Sequence, residues 1–185
     1  YPGEGTVDFP TGAYAVYTKS LETMFKKGIN PLKVARDAAK VQGAEFHVML
    51  RPAGWVGSMP YEETFNSQFY YQHPEWRCFD KDGTPTFYMS YAVPEVRRHL
   101  IEIFRETLEL QPEGVGFLFN RGMPLMLWED AFCERFKQMH NADARSVEDD
   151  DPRIHATRAA IMTDFMLEVR ALLDETAAKQ GRKER

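Results

Sequence analysis

The chain has 185 residues, of which 43% are hydrophobic, 13% aromatic and 28% charged, a composition that excludes disordered, collagen-like and disulfide-scaffold proteins. Its 28 acidic and 23 basic residues give a net charge of −5, which provides no broad attraction to nucleic acid or anionic lipid. Because a complete (β/α)8 barrel needs roughly 250 residues, we expect one domain or a portion of a larger one.

Two helices are predicted near the amino end. Apolar residues at mixed three- and four-residue spacing predict a helix over residues 13–27, which ends at Gly28. Asn30 then provides a cap and Pro31 a first-turn proline for a second helix, whose apolar stripe ends at Gly43.

Residues 44–51 alternate strictly between apolar and polar side chains, which predicts a strand with a polar inner face. The apolar face has Phe46, Val48 and Leu50, and the polar face has Glu45, His47, Met49 and Arg51. From Pro52 to about Phe87 the sequence is rich in aromatic residues and turn signals, and we expect an irregular loop. Loops of this length usually carry function.

The remaining sequence predicts helices that alternate with short strands. Residues 87–89 fit a short strand, and Pro94 opens a helix through Leu110. Residues 114–119 fit a buried strand, and two further helices cover about 129–139 and 152–178. This alternation predicts an α/β fold with parallel strands, and the excess of helices over strands is typical of the middle of a barrel.

Polar and aromatic residues follow the two clearest strands, where parallel α/β folds form their sites. The candidates for substrate binding are His47, Arg51, Trp55, Trp76, Asn120 and Arg121. Sugar rings stack on tryptophan rings, which favours Trp55 and Trp76 over the other loop aromatics. The structural alternative for His47 is a histidine whose hydrogen bonds are satisfied inside the sheet. The structural alternative for Arg51 is an ordinary salt bridge.

Glycosidic hydrolysis needs two carboxyl groups on either side of the scissile bond. Glu129, which follows the second strand, is the candidate catalytic acid, and its neighbour Trp128 is a further candidate for substrate binding. A surface acid or a helix N-terminal charge is the structural alternative for Glu129. We expect no metal and no cofactor, because the histidines lack HxxxH spacing and no glycine-rich phosphate loop is present.

Four segments carry a family resemblance: residues 73–77 (His-Pro-Glu-Trp-Arg), 80–83 (Asp-Lys-Asp-Gly), 90–97 (Ser-Tyr-Ala-Val-Pro-Glu-Val-Arg) and 120–124 (Asn-Arg-Gly-Met-Pro). Together they resemble the glycosyl hydrolase-like family-10 proteins, a bacterial group regarded as glycosidases, from about Gly28 to Glu175. The resemblance implies a (β/α)8 barrel in which the strands containing His47 and ending at Asn120 are neighbours. Many relatives have an aspartate in the fourth strand where this chain has Leu118, which implies an altered or missing catalytic carboxylate.

We therefore predict that residues 1–185 form a single domain, the central portion of a (β/α)8-type glycoside hydrolase-like domain. It would hydrolyse O-glycosidic bonds of an oligo- or polysaccharide with carboxylate acid/base chemistry; a non-catalytic carbohydrate-binding or structural α/β module is the alternative. No apolar run is long enough to span a membrane, and the net charge is negative, so we expect neither a membrane nor a nucleic-acid partner. The sequence leaves open the oligomeric state and a secreted, periplasmic or cytoplasmic location.

Overall fold

The structure is a computed structural model that describes residues 12–52, 55, 57, 66–119 and 124–181. The chain divides into two compact units, each built from two separate stretches of sequence. Unit 1 comprises Tyr1–Pro74 and Glu109–Asn120, and unit 2 comprises Glu75–Leu108 and Arg121–Arg185. The expectation of a single domain stays a prediction.

Helices and short strands alternate along the described residues. In chain order they are α1 (Gly12–Lys26), α2 (Pro31–Val41), β1 (His47–Leu50), α3 (Gln68–Gln72), β2 (Arg77–Phe79), β3 (Pro85–Met89), α4 (Pro94–Leu108), β4 (Gly114–Phe117), α5 (Asp130–His140) and α6 (Pro152–Gln180). Two short 3-10 helices, Pro74–Trp76 and Ala144–Ser146, complete the set.

The helix boundaries in unit 1 follow the local signals in the sequence. The Asn30 side chain accepts hydrogen bonds from the amides of Leu32 and Lys33, at 2.9 and 3.3 Å, and Pro31 occupies the first turn of α2. Gly28 follows the end of α1 with a φ of 70°, a left-handed conformation that a side chain would strain. The predicted boundary between these two helices is therefore confirmed.

A small parallel sheet forms the centre of unit 1. β1 pairs with β4 in the register His47 to Gly114 and Leu50 to Phe117. The prediction of an α/β fold with parallel strands is confirmed at this level: the chain is mixed α/β with a small parallel sheet. The (β/α)8 barrel stays a prediction.

The two faces of this sheet differ in packing. Val48 is 7% exposed, whereas Met49 on the other face is 66% exposed, so the polar face of β1 is turned outward and not inward as predicted. The prediction of a buried strand over residues 114–119 is also wrong. β4 is half-buried and is followed by exposed Leu118 and Phe119, because the sheet has two strands within the described residues and packing covers one side.

The region predicted as an irregular loop contains an antiparallel hairpin of β2 and β3 in unit 2. The turn is stabilised by the Gly83 amide, which donates to the Asp80 carbonyl at 2.9 Å, and by the Asp82 carboxylate, which accepts from the Thr84 amide at 2.8 Å. Gly83 has a φ of 86°. The turn signals in this region are therefore confirmed. The strand β2 was not predicted, because it is only three residues long and shows no recognisable alternation.

The core of unit 2 lies between the hairpin and three helices. α4 and α5 both pack against α6, and the Tyr91 ring meets the Phe165 ring edge-on with 5.3 Å between centroids. The buried apolar side chains of the helices are Val96, Leu100, Phe104, Phe132, Phe136, Ile154, Ile161, Phe165, Val169 and Leu172. They recur at helical spacing, as expected for helices that each pack one face against the core. No helix among the described residues is long and apolar enough to cross a membrane.

Candidate functional site

The carboxyl ends of β1 and β4 lie side by side in unit 1. Their register pairs Leu50 with Phe117, and the Leu118 amide donates a hydrogen bond to the Leu50 carbonyl at 2.9 Å. Arg51 and Leu118 therefore both lie at the carboxyl edge of the sheet, where parallel α/β sheets bind ligands. Asn120 and Arg121, predicted at this edge, lie outside the described residues.

On the outward face of the sheet, β4 has glycine opposite two side chains of β1. His47 and Met49 lie opposite Gly114 and Gly116. A Cβ atom added to Gly114 would be 2.4 Å from His47 Nδ1, and one added to Gly116 would be 3.8 Å from Met49 Cε. The glycine at 114 is therefore required by the His47 ring, which lies against the backbone of β4 on this face.

His47 is not a core histidine. Its Nε2 lies 2.9 Å from Glu45 Oε2, and the side chains of His47 and Glu45 are 58% and 60% exposed. The imidazole can therefore exchange hydrogen bonds with solvent or with a ligand. Arg51, which follows Met49 on this face, is also exposed.

The two candidate tryptophans lie in different units. In unit 1, Trp55 is half-buried and stacks on Tyr70, with 5.9 Å between ring centroids and 21° between planes. Its indole N–H is buried and has no acceptor among the described residues. In unit 2, Trp76 is half-buried, and its carbonyl accepts a hydrogen bond from the Ser90 amide at 2.9 Å.

Glu129 is a buried carboxyl group at the start of α5. It is 3% exposed, and its Oε1 accepts a hydrogen bond from the Ser90 hydroxyl. Oε2 accepts from the amides of Leu127 and Phe79, at 3.0 and 3.4 Å. The carboxyl group is thus hydrogen-bonded to β2, to Ser90 after β3 and to the segment that precedes α5. No pattern in the sequence indicates these partners, of which Ser90 is 39 positions away.

Burial raises the pKa of Glu129, and the hydrogen bond from Ser90 is the largest effect that opposes this rise. A raised pKa favours the protonated form of the carboxyl group, which is the form that a general acid uses in glycosidic hydrolysis. Both of its oxygens, however, already accept hydrogen bonds from the chain itself. The same geometry therefore suits a proton donor and a structural carboxyl group.

Two cations lie near the Trp128 ring beside this carboxyl group. Lys81 Nζ is 5.3 Å and Arg158 Cζ 5.6 Å from the ring centroid. Trp128 itself is 8% exposed, so little of its ring is open for a sugar to stack on. Burial lowers the pKa of the Arg158 guanidinium, and the nearby Glu129 carboxylate is the largest of the charges that oppose this change.

The segment 90–97 has a structural role that sequence reasoning missed. Ser90 holds Glu129, and the Arg97 guanidinium, 9% exposed, binds both Glu168 oxygens through Nε at 3.0 and 3.1 Å. Arg97 also donates to the Tyr91 carbonyl at 2.7 Å. The motif therefore fastens the end of β3 to α5 and α6.

The structure brings together some of the predicted site residues. His47 and Arg51 share the outward face of unit 1, and Trp128 is adjacent to Glu129 in unit 2. The roles assigned to these residues stay predictions. Among the described residues, no group of three or more histidine, cysteine, aspartate or glutamate side chains could hold a metal ion.

Comparison with known proteins shows a distant structural similarity to a glycosidase. The chain matches no protein-family model and no curated protein. It is similar to the crystal structure of the alpha-galactosidase from Lactobacillus brevis, with a TM-score of 0.45 and 20% sequence identity. The match covers 77% of this chain and 17% of that enzyme, so the chain spans less than a fifth of its length.

Proposed function

We propose that the chain is part of a (β/α)8-type glycoside hydrolase-like domain that acts on an oligo- or polysaccharide. The observation that carries the proposal is the carboxyl edge of the parallel pair, where the outward face presents His47 and Arg51 beside a strand with glycine at 114 and 116. The segments that resemble glycosyl hydrolase-like family-10 proteins support the same class. Asn120, Arg121, Trp55 and Trp76 remain the other proposed substrate contacts.

Hydrolysis of O-glycosidic bonds is proposed to use Glu129 as the general acid. Its support is the burial that raises the pKa of this carboxyl group, together with the Ser90 hydroxyl that fixes its orientation. Leu118 stands where many relatives have an aspartate, so the second carboxylate is not assigned.

The test of hydrolysis compares the chain with its Glu129→Gln variant on cello-, malto- and galacto-oligosaccharides, with new reducing ends as the readout. We expect turnover by the unchanged chain and a loss of at least about 100-fold in Glu129→Gln, the usual contribution of a general acid. Glu106→Gln, which changes an exposed acid on α4, is the matched control and should keep full activity. Equal turnover by Glu129→Gln would remove Glu129 from the mechanism.

A carbohydrate-binding module without hydrolytic activity is the second candidate function. Two observations favour it: both oxygens of Glu129 are engaged within the chain, and exposed Leu118 occupies the carboxyl end of β4. Calorimetric titration with the same oligosaccharides distinguishes the two candidates. Saturable binding without new reducing ends would favour the binding module, and new reducing ends would exclude it.

A further inference from the structure

Arg51 differs from most arginines in the described part of the chain. It is exposed at the carboxyl end of β1, and among the described residues it forms no ion pair and no hydrogen bond. Most of the others pair with a carboxylate. These paired arginines are Arg36, Arg97, Arg98, Arg105, Arg135, Arg145, Arg153 and Arg170. A guanidinium cannot lose its charge by deprotonation, so Arg51 offers a full positive charge to a ligand.

Arg51 shares its face of the sheet with a polar side chain. Alternation along β1 places Arg51 on the same outward face as His47 and Met49. Across the sheet this face has Gly114 and Gly116, and the His47 ring and the Met49 side chain lie against these two positions. The Glu45 carboxylate, which lies beside this face, is 2.9 Å from the His47 ring.

Trp55 follows Arg51 by four residues, which limits the separation of their Cα atoms to about 14 Å. Its ring stacks on Tyr70 and is half-buried, so an aromatic surface lies within a few sugar units of the guanidinium. An exposed guanidinium without a partner among the described residues, an exposed imidazole on the same face and a nearby aromatic ring together fit a sugar that carries its own negative charge.

We infer that the saccharide recognised at this face is acidic, and that Arg51 binds the carboxylate of a hexuronic acid unit. This inference rests on the proposed function and names its substrate class. The two parallel N–H groups of a guanidinium match the two oxygens of a carboxylate, whereas a neutral sugar offers no such partner. The net charge of −5 opposes an anionic ligand at long range, but at 0.1 M salt this repulsion is screened beyond about 10 Å. The direct contact with Arg51 therefore determines the affinity for the carboxylate.

The experiment is a calorimetric titration with α-1,4-linked trigalacturonate and α-1,4-linked galactotriose, which differ in having a carboxylate or a CH2OH group on each unit. The 185-residue chain should bind trigalacturonate at least about tenfold more tightly, as expected for a charge-assisted hydrogen-bonded pair. Arg51→Gln should abolish this preference, so that trigalacturonate binds no more tightly than galactotriose does to the same variant. Arg98→Gln, which removes an exposed arginine from α4 in unit 2, should keep the preference.

Each outcome separates this inference from the proposed function. Equal affinity for the two sugars, or a preference that survives Arg51→Gln, overturns the acidic-sugar assignment while leaving saccharide binding in place. Binding of neither sugar, nor of the cello- and malto-oligosaccharides, overturns both. Because Arg51 is exposed, its substitution should leave the circular dichroism spectrum and Tm unchanged, and these measurements confirm that the variant is folded.

Discussion

The hydrogen bonds of Glu129 predict a large difference between two substitutions at this position. In Glu129→Gln, the amide oxygen can face the amides of Leu127 and Phe79 while the NH2 group donates to Ser90 Oγ. Only the hydrogen of the Ser90 hydroxyl then lacks an acceptor, so we expect a cost of about 1 kcal/mol. For a chain of this length that lowers Tm by about 2–4 °C.

Glu129→Ala removes every acceptor at once. The buried Ser90 hydroxyl loses its acceptor, at a cost of about 1–3 kcal/mol, and two part-buried backbone amides lose theirs at a smaller cost each. With the cavity included, the free energy of unfolding should fall by at least about 3 kcal/mol. Urea denaturation of the unchanged chain and the two variants measures both values. If the glutamine substitution is as destabilising as the alanine substitution, the hydrogen-bond reasoning is wrong.

The pH dependence of this difference is a second measurement on the same proteins. Because the pKa of Glu129 is raised on folding, its contribution is fully present below the unfolded value of about 4.5 and is lost as pH rises through the folded pKa. The amide in Glu129→Gln does not titrate. The stability of the unchanged chain relative to this variant should therefore decline as pH rises above about 4.5. A constant difference would refute a raised pKa at this carboxyl group.

Contacts elsewhere in the chain support three more predictions. Gly114→Ala should lower the free energy of unfolding by about 1–2 kcal/mol, because its Cβ would meet the His47 ring at 2.4 Å. In a His47→Ala background the same change should be neutral or stabilising. Urea denaturation of the unchanged chain, the two single variants and the double variant measures both effects. Arg97→Leu should cost about 2–3 kcal/mol because the Tyr91 carbonyl and Glu168 lose their donor, whereas exposed Arg98→Leu should change the unfolding midpoint little. The Arg153 side chain lowers the pKa of Asp151 to about 2. The ionised Asp151 carboxylate therefore stabilises the fold above about pH 3.8, and this stabilisation is lost as pH falls towards 2. Asp151→Asn should show a smaller fall in Tm between pH 4 and pH 2.5 than the unchanged chain.

Local signals in the sequence were sufficient where the stabilising contact is local. The cap at Asn30, the proline that opens α4 and the long amphipathic α6 all depend on residues within a turn or two of each other. The burial of strand faces could not be predicted in this way, because it depends on which elements cover the sheet. Alternation in residues 44–51 correctly separated the two faces of β1 but not which of them is packed.

The candidate site shows the same division between local and distant contacts. Sequence position placed Arg51 at the end of a strand, and the structure has it there. The environment of Glu129 depends on Ser90, 39 positions earlier, and on an amide in β2, and no spacing rule connects these residues. The glycine at 114 likewise looks like an ordinary strand boundary until the register places His47 against it.

The pairing of β1 with β4 has a consequence for the order in which the chain folds during synthesis. Partners in this pair are 67 positions apart, so at about 5–20 residues per second a ribosome needs roughly 3–13 s to deliver the second strand after the first. During that interval the backbone groups of β1 have no β4 to pair with, and such an edge invites association with other nascent chains. β4 emerges before α5 and α6, so the sheet of unit 1 can close while unit 2 still lacks the two helices that complete its core. Parallel pairing over this distance is slow to nucleate, and its closure is therefore expected to be the slow early step of folding.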